Sequence, residues 1–234
     1  MSETILAVLN RIAASSSIDD AWAVATSWFA KLGFGRVNYG FTRFKHLKTI
    51  GDPEDALFLS TCDADYVKRY FQGGFYAKTP VFRWAEHNSG ACTWSWVKDA
   101  FEAGRLSAEE AETVRHNAAT GIVAGITVSF PEVSSRSKGA LGLIADSGVT
   151  PAVVDALFAA RKEEIMAVAN MMHLTIVHLP QLSRHRALSP RQREALEWVA
   201  DGKTTQDVAL LMGVSPAMVE KHLRLARDAL AVET

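Results

Sequence analysis

The sequence predicts an α/β sandwich, an antiparallel sheet flanked by helices, followed by a small all-α helix-turn-helix domain. Three observations lead there. Short strand-like runs alternate with helical segments between Arg36 and Asp146. A stretch with Pro180 and no sustained apolar period interrupts the chain, and from Ser189 onward helix-start signals recur three times. They divide the chain into residues 1–177, a linker over 178–187, and residues 188–234.

Helical patterns at Glu3 to Ala14 and Ile18 to Leu32 end at Gly33, a natural helix stop. Strand-like runs follow at Arg36 to Thr42, Ala56 to Cys62, Ala91 to Thr93, Ala124 to Phe130 and Gly139 to Asp146. Between them lie helical segments at Asp63 to Gly74, Pro80 to Glu86 and Ser107 to Thr120. Pro151 to Val177 reads as one long helix with two apolar stripes. Val154, Leu157, Phe158, Ile165, Val168 and Met172 form one, and Ala156, Ala160, Ala167, Met171 and Leu174 the other. One stripe can cover the sheet, which leaves the second in search of a partner, most simply a second copy of the chain.

Composition narrows the function classes. At 48% hydrophobic and 22% charged, the chain is an ordinary globular one with enough apolar side chain for a sizeable core. No apolar run reaches the roughly 18–20 residues of a membrane helix, and the start lacks a secretory pattern, so a cytoplasmic protein with no membrane partner is expected. Cys62 and Cys92 then read as free thiols, although one bridge is the alternative. A net charge of −1 excludes a grip on nucleic acid over the whole surface. From Arg184 onward eight bases face seven acids, while the remainder carries 17 against 19. Any basic contact must therefore be local.

The last segment carries the most specific pattern. Ser189-Pro190 with Gln192 makes a capping box with a proline at the first helical position, and the helix it opens would bury Ala195, Leu196, Trp198 and Val199 before Gly202 stops it. Thr204 with Asp207 opens a short helix burying Val208, Leu211 and Met212, which stops at Gly213. Ser215-Pro216 opens a third, with Val219, Leu223, Ala226 and Leu230 along one face. Gly213 to Ser215 is thus a tight turn between two helices, of which the second can enter a major groove. In residue type and spacing the string Leu188 to Glu194, Gly202 to Thr204, Asp207 to Ala209, Val214-Ser215, Val219 and His222-Leu223 resembles the LuxR-type helix-turn-helix.

That resemblance implies double-stranded DNA as partner, with Ala217, Glu220, Lys221 and Arg224 on the groove-facing side of the third helix. Arg224 is the first candidate for a base contact, because a guanidinium fork bonds a guanine edge in two places. Lys203, Thr204, Ser215, Lys221 and Arg227 are candidates for phosphates. Two positions depart from the family: Glu220 stands where relatives carry a base, and Gln192 where they often carry Glu. Relatives also have a fourth helix beyond the position of Ala231, so the segment reads as lacking its last helix.

Residues 1 to about 175 resemble, in length, element order and landmarks, the autoinducer-binding domain of quorum-sensing regulators. The landmarks are Gly33-Phe34, the Tyr66 and Tyr70 pair, Thr79-Pro80, Trp94 fourteen residues after that proline, and Gly121 to Gly125. The resemblance implies a small-molecule signal, an acyl-homoserine lactone or a related compound, held in an apolar pocket with a few polar anchors. No other cofactor is implied. Tyr70, Trp94 and Gly125 agree with the family, and Cys62 ends a strand beside the head-group region. Tyr66 replaces a tryptophan that bonds the lactone carbonyl, and Thr79 an aspartate that accepts the ligand's amide N–H. A hydrogen bond to a charged acceptor contributes roughly 1.5–3 kcal/mol against about 0.5–1.5 for a neutral one, so the second change weakens the usual ligand about tenfold or more. Either a differently built lactone or another small molecule follows. Phe71, Phe75, Tyr76, Phe82, Trp84, Trp94, Trp96 and Phe101 are many aromatics, and any one is more often core than contact.

Other classes fit less well. A phosphoacceptor receiver needs acids at the ends of its first strands, whereas Asp19-Asp20 follow a helix start. Catalysis needs a nucleophile, base or metal cluster, yet His46, His87, His116, His173, His178, His185 and His222 are scattered, with no C-x-x-C or phosphate loop. The expectation is a homodimeric, ligand-responsive, DNA-binding regulator, not an enzyme. The alternative is a ligand-independent regulator acting by pairing with another LuxR-type protein, which Glu220 and the absent last helix favour.

Overall fold

A computed structural model describes residues 3–43, 56–131, 137–179 and 188–230, and the chain falls into two compact units, Met1–Pro180 and Gln181–Thr234. His46, His185 and most of the expected linker lie outside the described residues.

In the first unit, α1 (Ile5–Ala13) and α2 (Ile18–Ala30) start where Thr4 and Ser17 accept backbone N–H bonds with their side chains. Gly33, at φ 89°, turns the chain into β1 (Arg36–Thr42). Four further strands, β2 (Leu57–Ser60), β3 (Gly90–Thr93), β4 (Gly125–Ser129) and β5 (Lys138–Ile144), complete an antiparallel sheet in the order β2-β1-β5-β4-β3. The expected fold class is the one observed.

Alternation along the strands separates two faces. Val37, Tyr39, Phe41, Ile126, Val128, Leu141 and Leu143 point to one side and join Val8, Ile12, Phe29, Ile165 and Met172 in the main core. That side is covered by α1, α2 and α7 (Pro151–His178). His173 of α7 sits inside this core, its ring stacked on Phe130 at 4.0 Å and its Nδ1 2.9 Å from the Tyr39 hydroxyl. A Cβ at Gly139 would come within 2.7 Å of that imidazole, so this strand position has room only for hydrogen.

The opposite face carries α3 (Ala64–Val67), a π turn over Lys68–Gln72, a 3₁₀ turn over Phe75–Lys78, α4 (Pro80–His87), α5 (Ser95–Glu102) and α6 (Ala108–Ala119). Two expectations change here. The helix expected over Asp63 to Gly74 is one α turn that widens into the π turn, placing Tyr70 and Phe71 on the widened segment. The sequence also gave no sign of α5: Trp94 occupies its N-cap without a side-chain cap bond, so the Ser/Thr/Asp start signal is missing.

The second stripe of α7 is real but discontinuous. Arg161 leaves helical geometry at φ −128°, which shifts the phase of the helix part-way along. Ala156, Ala160 and Leu174 are exposed, while Ala167 and Met171 are half-buried.

The second unit contains α8 (Pro190–Ala200), α9 (Thr205–Met212) and α10 (Pro216–Leu230). Capping boxes at Ser189/Gln192 and Thr204/Asp207 form as expected, and Gly213, at φ 65°, ends α9. Ala195, Val208, Ala209, Met212 and Val219 make its core, with Trp198, Val214 and Leu223 packed around them. Val199 and Leu211, expected inside, are 42% and 50% exposed. Ala209 is buried instead of Leu211.

Candidate functional site

The open face of the sheet floors a cavity of about 530 Å³. Its depth is a direct product of residue size. On that face Asn38, Gly40, Ala140 and Gly142 lie where the other face carries Tyr39, Leu141 and Leu143, and the cross-strand register sets Gly40 opposite Ala140 and Asn38 opposite Gly142. A Cβ built on Gly142 would find only the Asn38 carbonyl, 3.9 Å away. The strands pair normally while a void is kept above them.

Four of the six ligand candidates named from the sequence, Tyr66, Tyr70, Thr79 and Trp94, line this one cavity; Cys62 and Gly125 do not. Tyr66 and Tyr70 are stacked with ring centroids 5.1 Å apart, one helical turn from each other. Burial holds both phenols above their ordinary value, so both remain protonated. The Tyr66 oxygen accepts from Asn38 Nδ2 at 3.0 Å, and Asn38 Oδ1 in turn accepts from the Ser60 hydroxyl at 2.7 Å.

Thr79 is only 3% exposed and heads α4. Its hydroxyl donates to the Tyr76 carbonyl at 2.8 Å and accepts the Phe82 N–H at 3.3 Å. Trp94 turns its indole N–H away to Thr127 Oγ1, 2.9 Å away. Gly125 makes that pose possible, since a Cβ there would lie 2.9 Å from the Trp94 ring and 2.4 Å from the Leu143 carbonyl. Its part is to seat the indole. The Cys62 N–H donates to Ser60 Oγ at 3.1 Å, and burial raises the thiol's pKa. Both cysteines are free.

Sequence reasoning missed Asn38, Thr127 and Gly142. The signal was available: in β1, β4 and β5 the positions between the large apolar residues are occupied by Asn, Gly, Thr, Ser and Ala, which on a sheet buried on both sides means space or polar contact.

In the second unit every nucleic-acid candidate is exposed: Lys203, Thr204, Ser215, Ala217, Glu220, Lys221, Arg224 and Arg227. Positions 217, 220, 221, 224 and 227 fall on one face of α10, opposite Val219 and Ala226. Gly213 to Ser215 breaks the helix as the groove-entering arrangement requires.

The two hydroxyl candidates differ in what they can offer. Ser215 Oγ accepts the Met218 N–H at 3.3 Å, which leaves its proton available. Thr204 donates both its hydroxyl and its N–H to Asp207 Oδ2, at 2.7 and 3.1 Å. These bonds hold the Asp207 carboxyl below its usual value. Among the described residues no group of three His, Cys, Asp or Glu is placed to hold a metal, and no helix is long and apolar enough to cross a membrane.

Comparison with known proteins bears on both units. Residues 17–176 match the autoinducer binding domain family, and residues 182–230 match sigma-70 region 4. The chain is 24% identical over 215 residues to the transcriptional activator AnoR of Acinetobacter nosocomialis, covering 88% of this chain and 82% of AnoR. In fold it resembles Escherichia coli SdiA, with a TM-score of 0.58 and 17% identity over 98% of this chain and 91% of that one. SdiA in complex with octanoyl-rac-glycerol gives 0.53 and 18%, over 100% and 93%.

Proposed function

The chain belongs to the autoinducer-binding-domain family of LuxR-type transcriptional regulators, and from that membership we propose that it is a homodimeric regulator whose DNA binding responds to an acyl-chain small molecule held in the first unit. The observation that carries this reading is the convergence of Tyr66, Tyr70, Thr79 and Trp94 on one cavity. About 530 Å³ with mostly apolar walls suits a medium acyl chain with a compact polar head. An acyl-homoserine lactone is one such compound, and the octanoyl-glycerol held by SdiA is another.

In the second unit, Arg224 reads a base edge while Lys203, Ser215, Lys221 and Arg227 meet phosphates. Thr204 joins them only if its Asp207 bonds give way. Binding of the full chain to its own promoter duplex tests this. Arg224→Ala is expected to cost about 1–3 kcal/mol of specific affinity, and each phosphate contact adds close to one unit to the salt slope. Affinity that ignores both salt and Arg224 contradicts the reading.

A second reading has specific support. Glu220 is exposed on the groove-facing side of α10, and Asp207 occupies the donors of Thr204. Both weaken independent DNA binding, as expected of a regulator that acts by pairing with another member of the family. Retention of promoter binding by the purified chain alone argues against it.

A further inference from the structure

The head-group end of the cavity is unusual in what it offers a ligand. Ser60, Asn38, Gly142 and Thr127 lie in register across β2, β1, β5 and β4, all on the cavity side. Asn38 and Thr127 therefore flank the bare Gly142, roughly 10 Å apart at two strand spacings of about 4.8 Å. Each belongs to a short relay. On one side Ser60 donates to Asn38 and Asn38 to the Tyr66 oxygen; on the other Trp94 donates to the Thr127 oxygen. In both relays the last oxygen already accepts one bond, so what each hydroxyl has left is its proton and at most one further lone pair, and the proton is the stronger offer.

Acceptors are scarcer. Thr79 uses its proton on Tyr76 and a lone pair on Phe82, and its hydroxyl is also hydrogen-bonded with Tyr70, so it has nothing left for a ligand N–H. The ionised residues lining the cavity are Lys98, Arg115 and Lys138, with no carboxylate among the described lining residues. Asn117, on α6, can match either kind of group and does not discriminate.

Resting on the small-molecule reading above, we infer that this cavity selects an acyl compound whose head carries hydrogen-bond acceptors and no obligatory N–H, an oxygen ester or ester-linked lactone, seated over Gly142 between the Tyr66 and Thr127 hydroxyls. An amide ligand brings a donor into a site already furnished with donors. A buried N–H without an acceptor keeps its full desolvation cost. An ester oxygen at the same place brings none, while its carbonyls take both protons.

The matched probes are N-octanoyl homoserine lactone and its ester isostere, 2-octanoyloxy-γ-butyrolactone, which differ only by oxygen in place of N–H. Affinities for the full chain are read from the change in tryptophan fluorescence and from denaturation temperature. The ester is expected to bind as tightly as the amide, within threefold, or tighter. Thr79→Asp, which keeps a good N-cap for α4, is expected to move the ratio at least tenfold towards the amide. Tyr66→Phe keeps the ring stack and is expected to weaken the ester about tenfold.

An amide preference above threefold in the unaltered protein overturns the inference and leaves the small-molecule reading standing. So does an ester affinity indifferent to Tyr66→Phe, or a ratio indifferent to Thr79→Asp. Binding of neither probe removes the acyl-ligand reading itself, and the inference with it.

Discussion

The two faces of the same sheet are built to opposite ends. Along β1, Val37, Tyr39 and Phe41 fill the space under α1, α2 and α7, while Asn38, Gly40 and Thr42 face the cavity. Along β5, Leu141 and Leu143 do the first job, and Ala140 and Gly142 the second. Backbone pairing is shared, so the difference lies wholly in side-chain volume and polarity. One face stores the stability that lets the other remain hollow.

The largest expected effect is on the filled face. Leu141 is fully buried, and Leu141→Ala should cost about 2–5 kcal/mol in denaturant unfolding. A cost under about 1 kcal/mol would mean that this face is not the stabilising one.

The same face carries an acid-sensitive group. Burial pushes the His173 pKa from 6.5 down to about 4. A group depressed in the folded state contributes stability that is complete above pH 6.5 and is lost as pH falls towards 4, in all about 3 kcal/mol. His173→Gln should flatten the stability profile across that window relative to the unaltered protein. Parallel profiles would show the imidazole to be solvated.

A smaller effect is expected where the faces share a residue. Gly125→Ala forces its methyl against the Leu143 carbonyl and the Trp94 ring, at about 1–3 kcal/mol, with the tryptophan emission shifted. An unchanged spectrum would sever Gly125 from the cavity. Smallest in stability is Gly142→Val, whose Cβ meets nothing closer than 3.9 Å. Losing a strand glycine should be neutral or gain about 0.5–1 kcal/mol.

Much of this division was legible in the sequence. Short strand-like runs between helical segments placed all five strands, and the caps at Ser189, Thr204 and Ser215 with the stops at Gly202 and Gly213 laid out the second unit. What stayed hidden depends on packing. The start of α5 carries no cap signal, and the phase shift at Arg161 is a backbone event with no Pro or Gly to announce it. Leu211 and Ala209 are both apolar, so periodicity alone could not decide which turns inward. Among the candidate site residues, Tyr66, Tyr70, Thr79 and Trp94 were named from family spacing, yet what each hydroxyl or N–H is bonded to only the folded contacts reveal. The same holds for Thr204, whose donors are already committed to Asp207.

The hollow face is tested most directly by the rise in denaturation temperature that saturating 2-octanoyloxy-γ-butyrolactone produces, compared between the unaltered protein and Gly142→Val. The expected result is a clear rise in the first and none in the second, with the unliganded variant at least as stable as the unaltered protein. An equal rise in both would place the ligand elsewhere and contradict the account.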